Sequence, residues 1–76
     1  MHPFAQFRKR SDPPMTQAAL AERLGVSTAL VTHIETGRRQ IPAEKAIEYE
    51  RRLGGAVTRY QLRPDIFGPP PSEAAA

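Results

Sequence analysis

The sequence predicts an all-α fold, a compact bundle of four to five short helices. The chain has 76 residues, which is enough for one small domain, and local helix packing is the simplest way to bury a core of that size. Segments with apolar residues at helical spacing are separated by glycine or proline. Thr16 and Ser27, which are good helix N-caps, stand directly before two of these segments.

Residues 3–10 predict the first helix. Pro3 suits a first helical position, because its φ is already near the helical value and its missing N–H is not needed there. The basic cluster at residues 8–10 lies at the C-terminal end of this helix, where positive charge interacts favourably with the helix dipole. This cluster either contacts a polyanion or only aids solubility, and both interpretations stay open. The consecutive prolines at 13 and 14 end the helix.

Residues 17–37 predict two helices joined by a tight turn. The first spans residues 17–24 and ends at Gly25, because glycine adopts the left-handed conformation without steric cost. The second spans residues 28–36 and ends at Gly37. Steeply crossing helices need a small residue at their closest approach, and Ala21 supplies it. The apolar residues expected in the core are Leu20, Leu24, Val31 and Ile34.

The last helix is predicted over residues 42–53, opened by Pro42. Its apolar pattern places Ile47 in the core and Tyr49 near the edge. Two glycines at 54 and 55 end it.

The C-terminal part of the chain changes character. Residues 56–62 are rich in strand-forming side chains, which favours a short extended segment or strand. A Pro- and Ala-rich tail follows at residues 68–76, and its composition predicts disorder. We therefore expect one domain over residues 1–67.

The charge balance indicates the class of partner. Eleven Lys and Arg residues face eight Asp and Glu residues, for a formal charge of +3. A basic excess on a small domain favours polyanions, nucleic acid first, although ordinary solubility explains it equally well. No cysteine is present, so disulfides and thiolate metal sites are excluded.

Catalytic and metal sites are not expected. His2 and His33 lie far apart with no carboxylate cluster between them, so we expect no metal and no other cofactor. No paired carboxylates or nucleophile and base suggest an enzyme.

The sequence also carries no membrane signal. No apolar run approaches the roughly 20 residues that span a bilayer. The N-terminus lacks the basic start and apolar stretch of a signal peptide. We therefore expect a cytoplasmic protein.

The second helix of the central pair has the character of a DNA recognition helix. Val31 and Ile34 are expected to pack against the first helix, which would leave the opposite face free to enter a major groove. The predicted base contacts come from that face: Thr28, Ala29, Thr32 and His33. None of them is a bidentate reader of guanine or adenine, so DNA shape and phosphate contacts are expected to carry part of the selectivity.

Phosphate contacts are predicted on either side of this helix. Arg38 and Arg39 lie just past it, where the chain would pass the sugar-phosphate backbone. Ser27, at its start, is expected to serve both as N-cap and as phosphate contact.

These residues together resemble the Cro/C1-type (XRE) helix-turn-helix family of phage and bacterial regulators. The features at the spacing of that family are Thr16-Gln17, Leu20-Ala21, Leu24-Gly25-Val26-Ser27, Val31, Ile34-Glu35 and Gly37-Arg38. Residues 54–66 also resemble the C-terminal segment of YdaS-type Cro-like proteins, which are often labelled antitoxins or prophage regulators. Residues 11–15, with two prolines, depart from the short glycine-containing link of the family.

The resemblance implies a transcriptional regulator, a Cro-like repressor in which Gln17 contacts a phosphate of double-stranded DNA. Family members usually dimerise and place two recognition helices about 34 Å apart on a palindromic operator. The residues expected to form the homodimer seam are Val57, Tyr60, Leu62, Ile66 and Phe67, unless they fold back on the core of their own chain, which stays open. An alternative stays open: an antitoxin or other interaction module that binds a toxin or another protein through its C-terminal segment.

Overall fold

The computed structural model describes residues 1–71, and these residues contain six helices. The four longer ones are α1 (Pro3–Arg10), α2 (Gln17–Leu24), α3 (Thr28–Glu35) and α4 (Ala43–Arg52). Two helices of four residues follow, α5 (Arg59–Leu62) and α6 (Pro64–Phe67). The predicted all-α fold is confirmed, and so are the predicted bounds of α1 and α2. Residues 72–76 of the predicted tail lie outside the described residues, and the domain division at residue 67 stays a prediction.

Local hydrogen bonds set the turn between α2 and α3. The Thr16 hydroxyl caps α2 by accepting from the Ala19 N–H at 3.0 Å, and the Ser27 hydroxyl caps α3 in the same way. Gly25 ends α2 in the left-handed region, with φ +73°. The next N–H, that of Val26, then reaches the Ala21 carbonyl at 3.0 Å. The chain therefore reverses within three residues, and α3 packs directly on α2.

The core is one cluster to which α1 to α5 all contribute, from Phe4 on α1 to Leu62 on α5. The four core residues predicted on α2 and α3 are confirmed as buried. On α4 the prediction is wrong, because Tyr49 is 2% exposed while Ile47 is only half-buried. Helical spacing aligns Tyr49 with Ala46 and Leu53, and this stripe faces the core. The Tyr49 ring also packs edge-on against Phe4, with the centroids 6.0 Å apart.

The strand expected over residues 56–62 is wrong, because the described residues contain no strand and α5 occupies this segment. Thr58 and Gln61 form a capping box: the Gln61 N–H donates to the Thr58 hydroxyl at 3.2 Å, and the Thr58 N–H donates to the Gln61 side chain at 2.9 Å. The Glu50 carboxylate on α4 accepts from the Arg59 N–H at 2.7 Å. These partners satisfy free N–H groups at the helix start, which outweighs a weak preference for strand.

The loss of the strand changes how the predicted dimer residues are placed. Val57 and Leu62 belong to the protomer's own core, at 2% and 7% exposed, so strand-edge pairing between copies is not available. Tyr60 and Phe67 are half-buried and contact each other edge-on, with centroids 6.3 Å apart. Ile66 remains exposed to 49%.

Candidate nucleic-acid interface

One face of α3 is buried and the opposite face is accessible. Val31 and Ile34 are 0% and 4% exposed. At about 100° per residue, the predicted base-contact residues are centred on the other side of the helix. Two of them are exposed and two are half-buried: Thr28 and Ala29, and Thr32 and His33. Thr36, at the C-terminal end of α3, is exposed on the same face and was not predicted.

A chain of polar side chains joins this helix to α1 and α2. Glu35, the last residue of α3, accepts two hydrogen bonds from the Arg8 guanidinium, at 2.7 and 2.8 Å. The same carboxylate accepts from the Gln17 Nε2 at 3.0 Å. The Gln17 Oε1 in turn accepts from the Thr32 hydroxyl at 2.8 Å. The Arg8 and Gln17 side chains donate to the carboxylate and the Thr32 hydroxyl donates to Gln17, so the network fixes α3 against two other helices.

The electrostatic state of Glu35 follows from this network. Burial raises the pKa of Glu35, but the hydrogen bonds from Arg8 and Gln17 and the charge of Arg8 outweigh it, so the pKa lies below its ordinary value. The carboxylate is therefore ionised at neutral pH and is paired with Arg8. An unpaired anion at the end of a recognition helix would repel phosphate, and Arg8 offsets that repulsion.

The network also restricts the roles predicted for its members. The Gln17 amide has protein partners at both of its polar atoms, which leaves one Nε2 hydrogen and the N–H at the start of α2 for a phosphate. The Thr32 hydroxyl donates within the protein, so its methyl group and lone pairs remain for a base. The Ser27 oxygen accepts the cap hydrogen bond from Leu30 at 3.1 Å, and its hydrogen remains available as a donor.

Residues 37–42 connect α3 to α4 and are here called the basic loop. Gly37 begins it at φ +81°, and the N–H groups of Arg38 and Arg39 donate to the His33 carbonyl at 2.8 and 3.1 Å. Both arginine side chains are exposed, and neither forms an ion pair within residues 1–71. Two uncompensated guanidinium groups therefore follow the C-terminal end of α3 along the chain.

Across residues 1–71, no three or more His, Asp or Glu side chains are grouped so that they could hold a metal ion. In the same part of the chain, every helix is too short or too polar to cross a membrane.

Comparison with known proteins connects this geometry to a family. Residues 16–71 match a family described as "Bacterial toxin YdaS". The chain is 46% identical over 50 residues to an Escherichia coli (strain K12) protein named "Putative transcriptional regulator YdaS". That alignment covers 66% of this chain and 51% of the relative, so the chain spans about half the length of the relative. No solved structure matches the chain.

The family match includes α2 and α3, here called the helix-turn-helix pair, and the two C-terminal helices α5 and α6. Membership of the wider Cro/C1-type family stays a prediction. The observed packing of α3 on α2 agrees with it. The resemblance to YdaS-type proteins is confirmed: the chain belongs to the YdaS family.

Proposed function

We propose that this protein is a sequence-specific regulator of transcription, a Cro-like repressor that inserts α3 into the major groove of double-stranded DNA. The observation that carries the proposal is the accessible face of α3, which is followed in the chain by the two unpaired guanidinium groups of the basic loop. The name of the Escherichia coli relative, a transcriptional regulator, supports it. Such a protein acts in the cytoplasm and performs no catalytic step.

Phosphate contacts would fix the register of the protein on DNA. Arg38 and Arg39 bind the backbone at one end of α3, and the Ser27 hydroxyl binds it at the other. Gln17 adds a contact from the start of α2, where free N–H groups attract anions.

Base contacts would supply the specificity. Thr28 and Ala29 are the most accessible groups, and a threonine hydroxyl or an alanine methyl can contact base edges and thymine methyl groups. Thr32 contributes its methyl group, and His33 offers a ring N–H toward guanine or a phosphate.

Two copies would bind together. Ile66 is the most exposed large apolar side chain of the C-terminal helices, and the half-buried rings of Tyr60 and Phe67 contact each other on the same two helices. In this arrangement Val57 and Leu62 support the seam from inside each protomer. A two-fold dimer matches a palindromic operator with half-sites about 34 Å apart.

Paired arginine variants test the phosphate contacts. Duplexes are first selected from a random-sequence library, and binding is then measured by fluorescence anisotropy across salt concentrations. Replacing Arg38 and Arg39 with alanine should weaken binding. It should also reduce the slope of log affinity against log salt concentration by the amount that about two phosphate contacts contribute. The control replaces Arg51 and Arg52 on α4, which removes the same charge elsewhere. Equal effects of the two pairs would contradict the clamp.

A charge on the recognition face tests insertion of α3. Ala29→Glu places a carboxylate where bases would lie and should weaken binding to the selected duplex by about 100-fold. Ala56→Glu makes the same change at another exposed alanine, before α5, and should cost less than about threefold. Binding of Ala29→Glu at wild-type affinity would exclude α3 as the reading helix.

A second function is favoured by the exposed Ile66 and by the family description. The apolar surface of α5 and α6 would bind a partner protein, as one component of a toxin–antitoxin pair. The family description names a toxin, whereas the sequence resemblance implies an antitoxin, so an experiment must separate the two roles.

Growth measurements distinguish these roles. If expression of this chain alone arrests growth, and Ile66→Glu removes the arrest while Ala29→Glu does not, the chain acts as a toxin through its C-terminal surface. If the chain instead rescues cells from a neighbouring gene product, the antitoxin role holds. Growth that depends only on Ala29 supports the regulator.

A further inference from the structure

The basic loop is held at both of its ends. At its start, the N–H groups of Arg38 and Arg39 share the His33 carbonyl. Near its end, Ile41 is 2% exposed, and its carbonyl accepts a hydrogen bond of 2.5 Å from the Arg63 guanidinium. Only Gln40 lies between the two anchored parts, so the course of the loop is closely restricted.

Arg63 is itself held in place. Its Nε and Nη2 atoms donate to the two Asp65 oxygens at 3.0 and 2.8 Å, which leaves Nη1 directed at the Ile41 carbonyl. The fixed geometry of this paired contact orients the guanidinium plane. The Arg63 side chain is only 14% exposed, and its backbone forms the junction of α5 and α6.

The contact borders a groove of about 540 Å³ between the basic loop and α6, which is lined by Arg38, Arg39 and Arg63 among others. On this side the loop is supported by the packing of the buried Ile41 side chain and by the hydrogen bond from Arg63 to the Ile41 carbonyl. This charge-assisted hydrogen bond links the C-terminal helices to the loop that carries the two exposed arginines.

We propose that Arg63 is a positioning residue for DNA binding: with Asp65 it holds the Ile41 carbonyl and thereby sets where Arg38 and Arg39 meet the phosphate backbone. This inference rests on the proposed DNA-binding function. It assigns the C-terminal helices a part in DNA recognition beyond any contact with a partner.

Arg63→Gln is the first test, because it removes the paired contact with Asp65 and one positive charge. Its binding to the selected duplex should be about 10-fold weaker than wild type, which corresponds to roughly one strong contact. Arg51→Gln, on the exposed face of α4, removes the same charge and should change binding less than about twofold. Thermal unfolding by circular dichroism establishes that both variants are folded.

Asp65→Asn gives the sharper result, because two explanations predict opposite signs. The variant gains one unit of positive charge, so charge alone would tighten DNA binding. Loss of the paired contact frees Arg63, so the positioning role predicts weaker binding, by about threefold. Glu44→Gln makes the same charge change on α4 and should tighten binding slightly. If Asp65→Asn also tightens it, the inference is overturned.

A double-mutant cycle shows whether Arg63 acts through the loop. When Arg38 and Arg39 are already alanine, Arg63→Gln should weaken binding no more than Arg51→Gln does, whereas a general effect on folding would add its full loss. Additive losses overturn the inference. Should wild-type protein select no duplex at all, the proposed function itself fails. Selection by wild type with equal affinities for Arg63→Gln and Arg51→Gln would reject only the role of Arg63.

Discussion

The helix-turn-helix pair and the C-terminal helices reach helical structure by different routes. In residues 17–37, caps and glycines act within a few residues, and each helix has eight residues and an apolar stripe. In residues 58–67, each helix has four residues, too few to be stable alone. These short helices depend on distant partners, namely Glu50 for the start of α5 and Ile41 for Arg63. The helix ends of the first region are encoded locally, whereas the second region needs contacts with distant residues in addition to its local capping box.

The largest effect on stability is expected when the hydrogen-bond network of Arg8, Gln17 and Glu35 is broken. Glu35→Ala leaves a nearly buried Arg8 without its partner and should lower the free energy of unfolding by about 3 kcal/mol. Glu48→Ala removes a carboxylate that pairs with Lys45 and Arg52 at 3.5 and 3.4 Å but is 38% exposed, and should cost under about 1 kcal/mol. Urea unfolding measures both, and equal losses would show that burial of the Arg8 pair adds nothing.

The next effect concerns the local turn. Gly25→Ala should destabilise the protein by about 1–2 kcal/mol, because an L side chain is strained at φ +73°. The added Cβ would lie 3.2 Å from the Arg52 Nη1, which can move away, so the backbone strain dominates. Gly25→Asn should cost less, since asparagine tolerates this conformation. The midpoints of thermal unfolding rank the variants, and an alanine variant as stable as wild type would contradict the local account of the turn.

A smaller effect tests the C-terminal region. Thr58→Val keeps the β-branched shape but removes the capping oxygen of α5, and should cost about 1 kcal/mol. If this segment behaved as a strand, the same change would be neutral or stabilising. Thr28→Val, on the exposed face of α3, is the matched control for stability and should stay within about 0.5 kcal/mol.

The pH dependence of stability compares one carboxylate from each region. Burial raises the pKa of Glu35, but its hydrogen bonds outweigh it, and the Arg59 N–H lowers the pKa of Glu50, so both lie below the ordinary value of 4.5. A carboxylate with a lowered folded pKa stabilises the protein above its unfolded pKa, and this contribution is lost as pH falls through the folded value. The free energy of unfolding should therefore decrease below about pH 4.5.

Glutamine variants show how much each of the two carboxylates contributes to the change of unfolding free energy with pH. Glu35→Gln and Glu50→Gln should each make the acid loss of stability shallower in urea unfolding series at stepped pH. A slope that Glu50→Gln leaves unchanged would show that the carboxylate at the start of α5 contributes nothing through its charge.

Sequence reasoning identified the accessible face of α3 and both arginines of the basic loop, because helical spacing and a following glycine reveal them. It missed what holds them. Arg8 and Glu35 are 27 residues apart, and no pattern in the chain indicates that they meet. The capping signal at Thr58 and Gln61 was present in the sequence, but the β-branched and aromatic residues around it pointed to a strand.

The bounds of α1 and α2, the turn at Gly25 and the apolar stripes of α2 and α3 could all be predicted from the order of the residues. Those features depend on backbone sterics and on hydrogen bonds between residues a few positions apart. The pairing of Glu35 with Arg8 and the contact of Arg63 with Ile41 became visible only in the folded protein. Such contacts depend on how the helices cross, and that arrangement results from burying all of their apolar faces at once.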